Sequence, residues 1–169
     1  MPRNVPGARP GDAGDGVVRL SFFVSGLPIA QGSMRWFPVK GPRRVILTST
    51  AQGLQPWREV VGYAAQAAMR RAGRGLYFAI TTPVSLDLLF ILPRPKRVPV
   101  SWNAPRHTKR PDIDKLARAC LDALADGQVY ANDAQVDRLR VEKRYTVSGD
   151  GLYSQPGVEI TVTCDLTIK

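Results

Sequence analysis

"KRPDIDKLARACLDALADGQVYANDAQV", residues 109–136, is the stretch on which the reading of the whole chain turns. Ile113, Leu116, Ala117, Cys120, Leu121 and Leu124 recur every three or four residues, which predicts an amphipathic helix with one buried stripe. Asp126-Gly127 suits its end, "QVY" gives a brief strand at 128–130, and "ANDAQ" a turn. Asp112 and Asp114 stand where loop becomes helix, and free backbone N–H groups favour negative side chains there. One aspartate is accounted for as an N-cap; the second is not, since a cap needs a single side chain.

Asp133 follows in the turn after the helix. If the strand at 128–130 ran back alongside the helix, three carboxylates would meet in a hard oxygen site suited to Mg²⁺. A metal there activates water and steadies a leaving oxygen, while neighbouring Lys and Arg hold a phosphate. The other reading is a solvated helix end, whose exposed charge pairs contribute little stability.

Outward from this stretch, residues 93–111 carry prolines at 93, 95, 99, 105 and 111, so they form an irregular loop. The loop is basic and contains a solitary Trp102, for which packing against the domain is the simpler reading than stacking on a base. Before it, "TPVSLDLLFILP" reads as a well-buried strand, with Asp87 a polar residue on its face. Residues 55–71 repeat apolar side chains at helical spacing (Trp57, Val60, Val61, Ala64, Ala68, Met69), and Gly73 ends that helix. "VVRLSFFV" and "RRVILT" read as strands, as do residues 136–147, with charges on one face, and "GVEITVTCDLTI". The order of about five strands and two helices, without regular βαβ alternation, predicts an α+β layer fold with a mixed sheet. Residues 1–16, rich in Gly, Pro and Asp, read as a disordered leader, and 17–169 as one domain.

The chain has 169 residues and a net charge of +10. That excess favours a nucleic-acid partner, since clustered Lys and Arg displace counterions from a phosphate backbone. Between Arg94 and Arg118 eight basic residues face only Asp112 and Asp114, so the charge is concentrated around the acidic pair. Cys120 and Cys164 lack neighbours at metal-site spacing and His107 is the sole histidine, which argues against zinc or a Cys-His nucleophile. Both cysteines read as buried free thiols. No apolar run is long enough to span a bilayer and no hydrophobic signal core opens the chain, so the expected place is the cytoplasm, with no membrane partner.

"RPDIDKLARACLDALADGQVYANDAQV" resembles the signature of the RusA family of Holliday junction resolvases, in which a DxD pair opens a helix and an aspartate follows in an N/D-D-x-Q-V turn. "GLPIAQGSMRW" is similar to the family's N-terminal strand and basic turn, and "LPRPK" to the segment before its catalytic loop. The resemblance covers roughly residues 18–165. It implies a Mg²⁺-dependent endodeoxyribonuclease, with Mn²⁺ as a substitute, that cuts branched DNA as a homodimer by paired symmetric hydrolysis. Asp112, Asp114 and Asp133 correspond to the family's metal-binding catalytic aspartates. Lys115 stands where relatives usually have Asn, and Arg118 where they have the catalytic Lys; Asn132 replaces a second acidic residue common in the turn. Arg is a planar fork rather than a mobile point charge, so Lys115 and Arg118 share candidacy for that role. Arg35, Lys96, Arg97, Lys109 and Arg110 are the candidate phosphate contacts. A DNA-binding relative without chemistry, and a nuclease for flaps or forks, are the alternatives. An origin in a host genome or in a phage or prophage is left open.

Overall fold

The computed structural model describes residues 16–32, 34–38, 45–49, 51–73, 79–97, 107–149 and 151–165, with side chains omitted for 34–38 and 45–49. The expected leader thus lies outside the described residues, Gly16 excepted, and so does Trp102. In chain order the elements are β1 (Val17–Ser25), β2 (Met34–Pro38), β3 (Val45–Ser49), α1 (Leu54–Ala72), β4 (Val84–Leu92), α2 (Ile113–Asp126), β5 (Val136–Tyr145) and β6 (Gly157–Asp165). β2 and β3 pair with each other as a separate antiparallel ribbon.

The other four strands form one mixed sheet in the order β1-β6-β4-β5. β6 is antiparallel to both its neighbours, whereas β5 runs parallel to β4 with Val84 opposite Val136 and Leu92 opposite Tyr145. Parallel neighbours cannot be joined by a tight turn, and α2 supplies the crossover. The sequence pattern gives no hint of βαβ alternation, yet one such unit is present, and its helix is the one that carries the acidic pair.

Alternation along the strands decides which face is covered. Val18, Leu20, Leu86, Leu88, Phe90, Ile160 and Val162 are buried, and with α1 and α2 they make one core. α2 contributes Leu116, Ala117, Cys120, Ala123 and Leu124. Both cysteines are free and buried, as expected, and burial pushes their thiols up in pKa. Two residues of the predicted stripes are exposed against expectation: Ile113, the first residue of α2, is 39% exposed, and Val60, within α1 beside the buried Val61, is 50% exposed and so falls off the buried face. The helices meet at Gly62 and Gly127, where a Cβ on Gly127 would sit 2.8 Å from Gly62 Cα. Beside that contact Arg58 of α1 clamps α2, pairing with Asp122 at 3.2 Å and with Asp126 at 2.6 Å.

Candidate active site

Two features fix the approach to α2. The His107 N–H donates to the Lys143 carbonyl at 3.3 Å, and its ring packs on Tyr145 with centroids 4.5 Å apart. The Lys143 ammonium then donates to the Lys109 carbonyl at 3.0 Å and the Pro111 carbonyl at 2.7 Å. From the other side the Gln31 N–H, in the loop after β1, donates to the Lys115 carbonyl at 3.0 Å. The loop before the acidic pair and the helix turn after it are therefore both tied to the sheet layer.

Asp112 occupies the N-cap position with extended backbone, and its carbonyl accepts from Leu116 N–H, but its side chain makes no capping hydrogen bond. Capping therefore does not explain this aspartate, contrary to the sequence reading. Its carboxylate instead lies 3.1 Å from Lys115 Nζ, and that ammonium, with Arg110 and Lys143 adding, holds the carboxyl below the usual carboxylate range. Asp114 lies in the first turn and is exposed, as is Arg118. Lys109, Arg110, Lys96 and Arg97 are exposed at the same end of the sheet, which is where β4 and β5 finish. Arg35 and Phe37 belong to β2, so their side chains lie outside the described set.

Asp133 opens a short 3-10 turn, Asp133–Gln135, held by a reciprocal cap. The Ala134 N–H donates to Asn132 Oδ1 at 2.8 Å, while Gln135 Oε1 accepts from the N–H groups of Ala131 and Asn132. The Gln135 amide reaches on to donate to the Ile80 carbonyl at 2.9 Å and that of Thr82 at 3.3 Å. Asn132 and Gln135 are thus scaffolding that presents an exposed Asp133. Tyr130, fully buried beneath, donates to the Leu121 carbonyl, and burial together with Asp133 pushes its phenol up in pKa. The S/T/N-x-x-Q/E spacing of a capping box was the available signal for Gln135; nothing comparable marks Lys143 in the sequence.

The two halves of the acidic set do not meet within one chain. Lys143, near the end of β5, touches the residues before α2, whereas Asp133 lies just ahead of Val136, where β5 begins. Seven strand residues separate those points, about 23 Å at the usual strand rise. α2 tells the same story, since its 14 residues span about 20 Å. The expected return of the chain fails because 128–130 is no strand beside α2: only Tyr130 pairs, and its partner is Ile80. Among the described residues no group of three or more His, Cys, Asp or Glu side chains is placed to hold a metal ion. As a single-chain metal site, therefore, Asp112, Asp114 and Asp133 do not fit.

The sequence profile described as Endodeoxyribonuclease RusA matches residues 26–163. This chain belongs to the RusA family. No curated protein sequence matches it. The RusA match spans every element from β2 to β5 and takes in both α2 and the turn that carries Asp133. As a RusA-family protein the chain is an endodeoxyribonuclease of the Holliday junction resolvase type, a metal-dependent hydrolase acting on branched DNA. No helix among the described residues is long and apolar enough to cross a membrane.

Proposed function

We propose that the protein resolves four-way junctions in recombination and repair as a homodimer, by paired hydrolysis that depends on Mg²⁺ or, in its place, Mn²⁺. One observation carries this reading: Asp112 and Asp114 sit at one end of α2 and Asp133 at the other, about 20 Å away. Two copies related by a two-fold axis, with their α2 helices antiparallel, would set the Asp112–Asp114 pair of one protomer against the partner's Asp133, twice over. Three carboxylates are the hard oxygen donors that Mg²⁺ takes, and the ion, when bound, supplies an activated water and charge for the leaving oxygen.

The chain's own residues do the rest. Asp112 and Asp114 are the ligands from the helix start. Lys115, already paired with Asp112, and Arg118, one turn on, face the scissile phosphate and offset its charge. Lys96, Arg97, Lys109 and Arg110, with Arg35 from β2, follow the DNA backbone and position the junction without reading its sequence. Two such sites, related by symmetry, suit two strands of a four-way junction.

Mixing subunits tests the arrangement. Asp112→Asn and Asp133→Asn are each expected to abolish cleavage of a labelled synthetic junction in Mg²⁺ while leaving junction binding intact. Combined, the two inactive proteins should regain nicking, because one of the two composite sites then carries no substitution. Continued inactivity of dimers shown to have mixed would refer each site back to a single chain. Running flap and fork substrates in parallel identifies which branched DNA is preferred.

A further inference from the structure

We propose that Lys143 is a positioning residue for hydrolysis: its ammonium holds the loop that delivers Asp112 and Asp114 and does not contact DNA. The inference rests on the reading of Asp112 and Asp114 as the helix-start ligands. Lys143 lies on β5 opposite Phe90, on the same face as Val141 and the buried Tyr145, which is the face the helices cover. It is half-buried, whereas Lys96, Arg97, Lys109 and Arg110 are exposed. An ammonium has three donors. Two of these go to main-chain carbonyls, Lys109 at 3.0 Å and Pro111 at 2.7 Å, three residues and one residue before Asp112. Its own carbonyl accepts the His107 N–H, so one strand residue grips the loop at three places.

The chemistry of these contacts explains why the residue should matter to rate rather than to affinity. A loop of irregular backbone exposes carbonyls that would otherwise turn to water, and each solvated alternative moves the acidic pair. A charge-assisted hydrogen bond is stronger than a neutral one, so one lysine removes that freedom at two peptide groups, those of Lys109 and Pro111, on either side of Arg110. Displacing reacting groups by about 1 Å costs on the order of 100-fold in rate. Junction binding, supplied by many exposed cations, should barely notice the loss.

The test compares Lys143→Met, Lys143→Gln and Lys143→Arg with wild type, measuring junction affinity without metal, then kcat and KM with Mg²⁺. Lys143→Met is expected to lower kcat about 10- to 100-fold while affinity and KM change by less than about threefold. Lys143→Arg, which keeps the charge and donors, should recover most of the rate. Lys143→Gln takes the place of Lys143→Met if the latter folds poorly, with the same expectation. Unchanged kcat, or a fall in affinity that accounts for the whole loss, would overturn the proposal, the second by making Lys143 a phosphate contact. Asp112→Asn and Asp114→Asn run alongside: if they cleave normally the ligand assignment fails, whereas if only the Lys143 variants keep full kcat the positioning role fails alone.

Discussion

At the scale of single residues, the groups around the acidic pair owe their states to the loop that carries them. His107 shows this most directly. Burial, with the Lys143 charge adding, lowers its pKa below the usual 6.5, and its Nδ1 is buried without a hydrogen-bond partner among the described residues. The folded protein therefore prefers the neutral ring. Between the lowered folded pKa and 6.5 the unfolded chain binds more protons, so stability is full above about pH 6.5 and is lost as pH falls through that window. Since His107 is the sole histidine, the effect can be isolated. Denaturant unfolding between pH 5 and 7.5 should show a decline in wild type toward acid that is flattened in His107→Gln; parallel curves would place the ring in water. Asp112 offers a second lesson at this scale. A cap position occupied by Asp, but with no capping bond, leaves a carboxylate available for chemistry, and the sequence alone could not distinguish the two.

Elements were legible in the sequence in proportion to how local their causes are. The periods of α1 and α2 run for several turns and fix both helices to within a residue or two of Leu54–Ala72 and Ile113–Asp126. Five of the six strands were readable too, though β2 (Met34–Pro38) was not and the strand read at 128–130 is only a single bridge; their pairing was not readable, since β5 lying parallel to β4 depends on contacts between residues about 50 apart. The same limit hid the separation of Asp133 from Asp112, because the course of 128–130 is set by Ile80. Gly127 was readable as a helix end for the wrong reason. Its φ of −73° suits any residue, and the left-handed conformation falls on Gln128 at φ 55°. Glycine is required because α1 passes so close. Gly127→Ala is thus expected to cost about 1–3 kcal/mol, with an unchanged denaturant slope. Gly62→Ala should cost less, since its Cβ would stand 3.3 Å from the nearest atom rather than 2.8 Å. Equal costs would mean that the helices simply slide apart.

Over the whole molecule, charge is sorted by position. The start of α2 and the finish of β4 and β5 share one end, crowded with Lys96, Arg97, Lys109, Arg110, Lys115 and Arg118, while Asp122 and Asp126 at the far end of α2 are taken up by Arg58. A net charge of +10 placed this way makes one end of the protomer the natural seat of a polyanion. Such binding is driven by counterion release, so its signature is the dependence of affinity on salt rather than affinity itself. Each phosphate contact contributes about 0.9 to the slope of log K against log salt on duplex arms. Replacing Lys109 and Arg110 together by Ala should therefore lower that slope by about two, alike for junctions of different sequence. Asp133→Asn, with no phosphate to contact, should leave the slope where it was. Weaker binding of the double variant with an unaltered slope would instead mean that Lys109 and Arg110 act by shaping the loop that Lys143 holds, and that the phosphates are met elsewhere on the basic end.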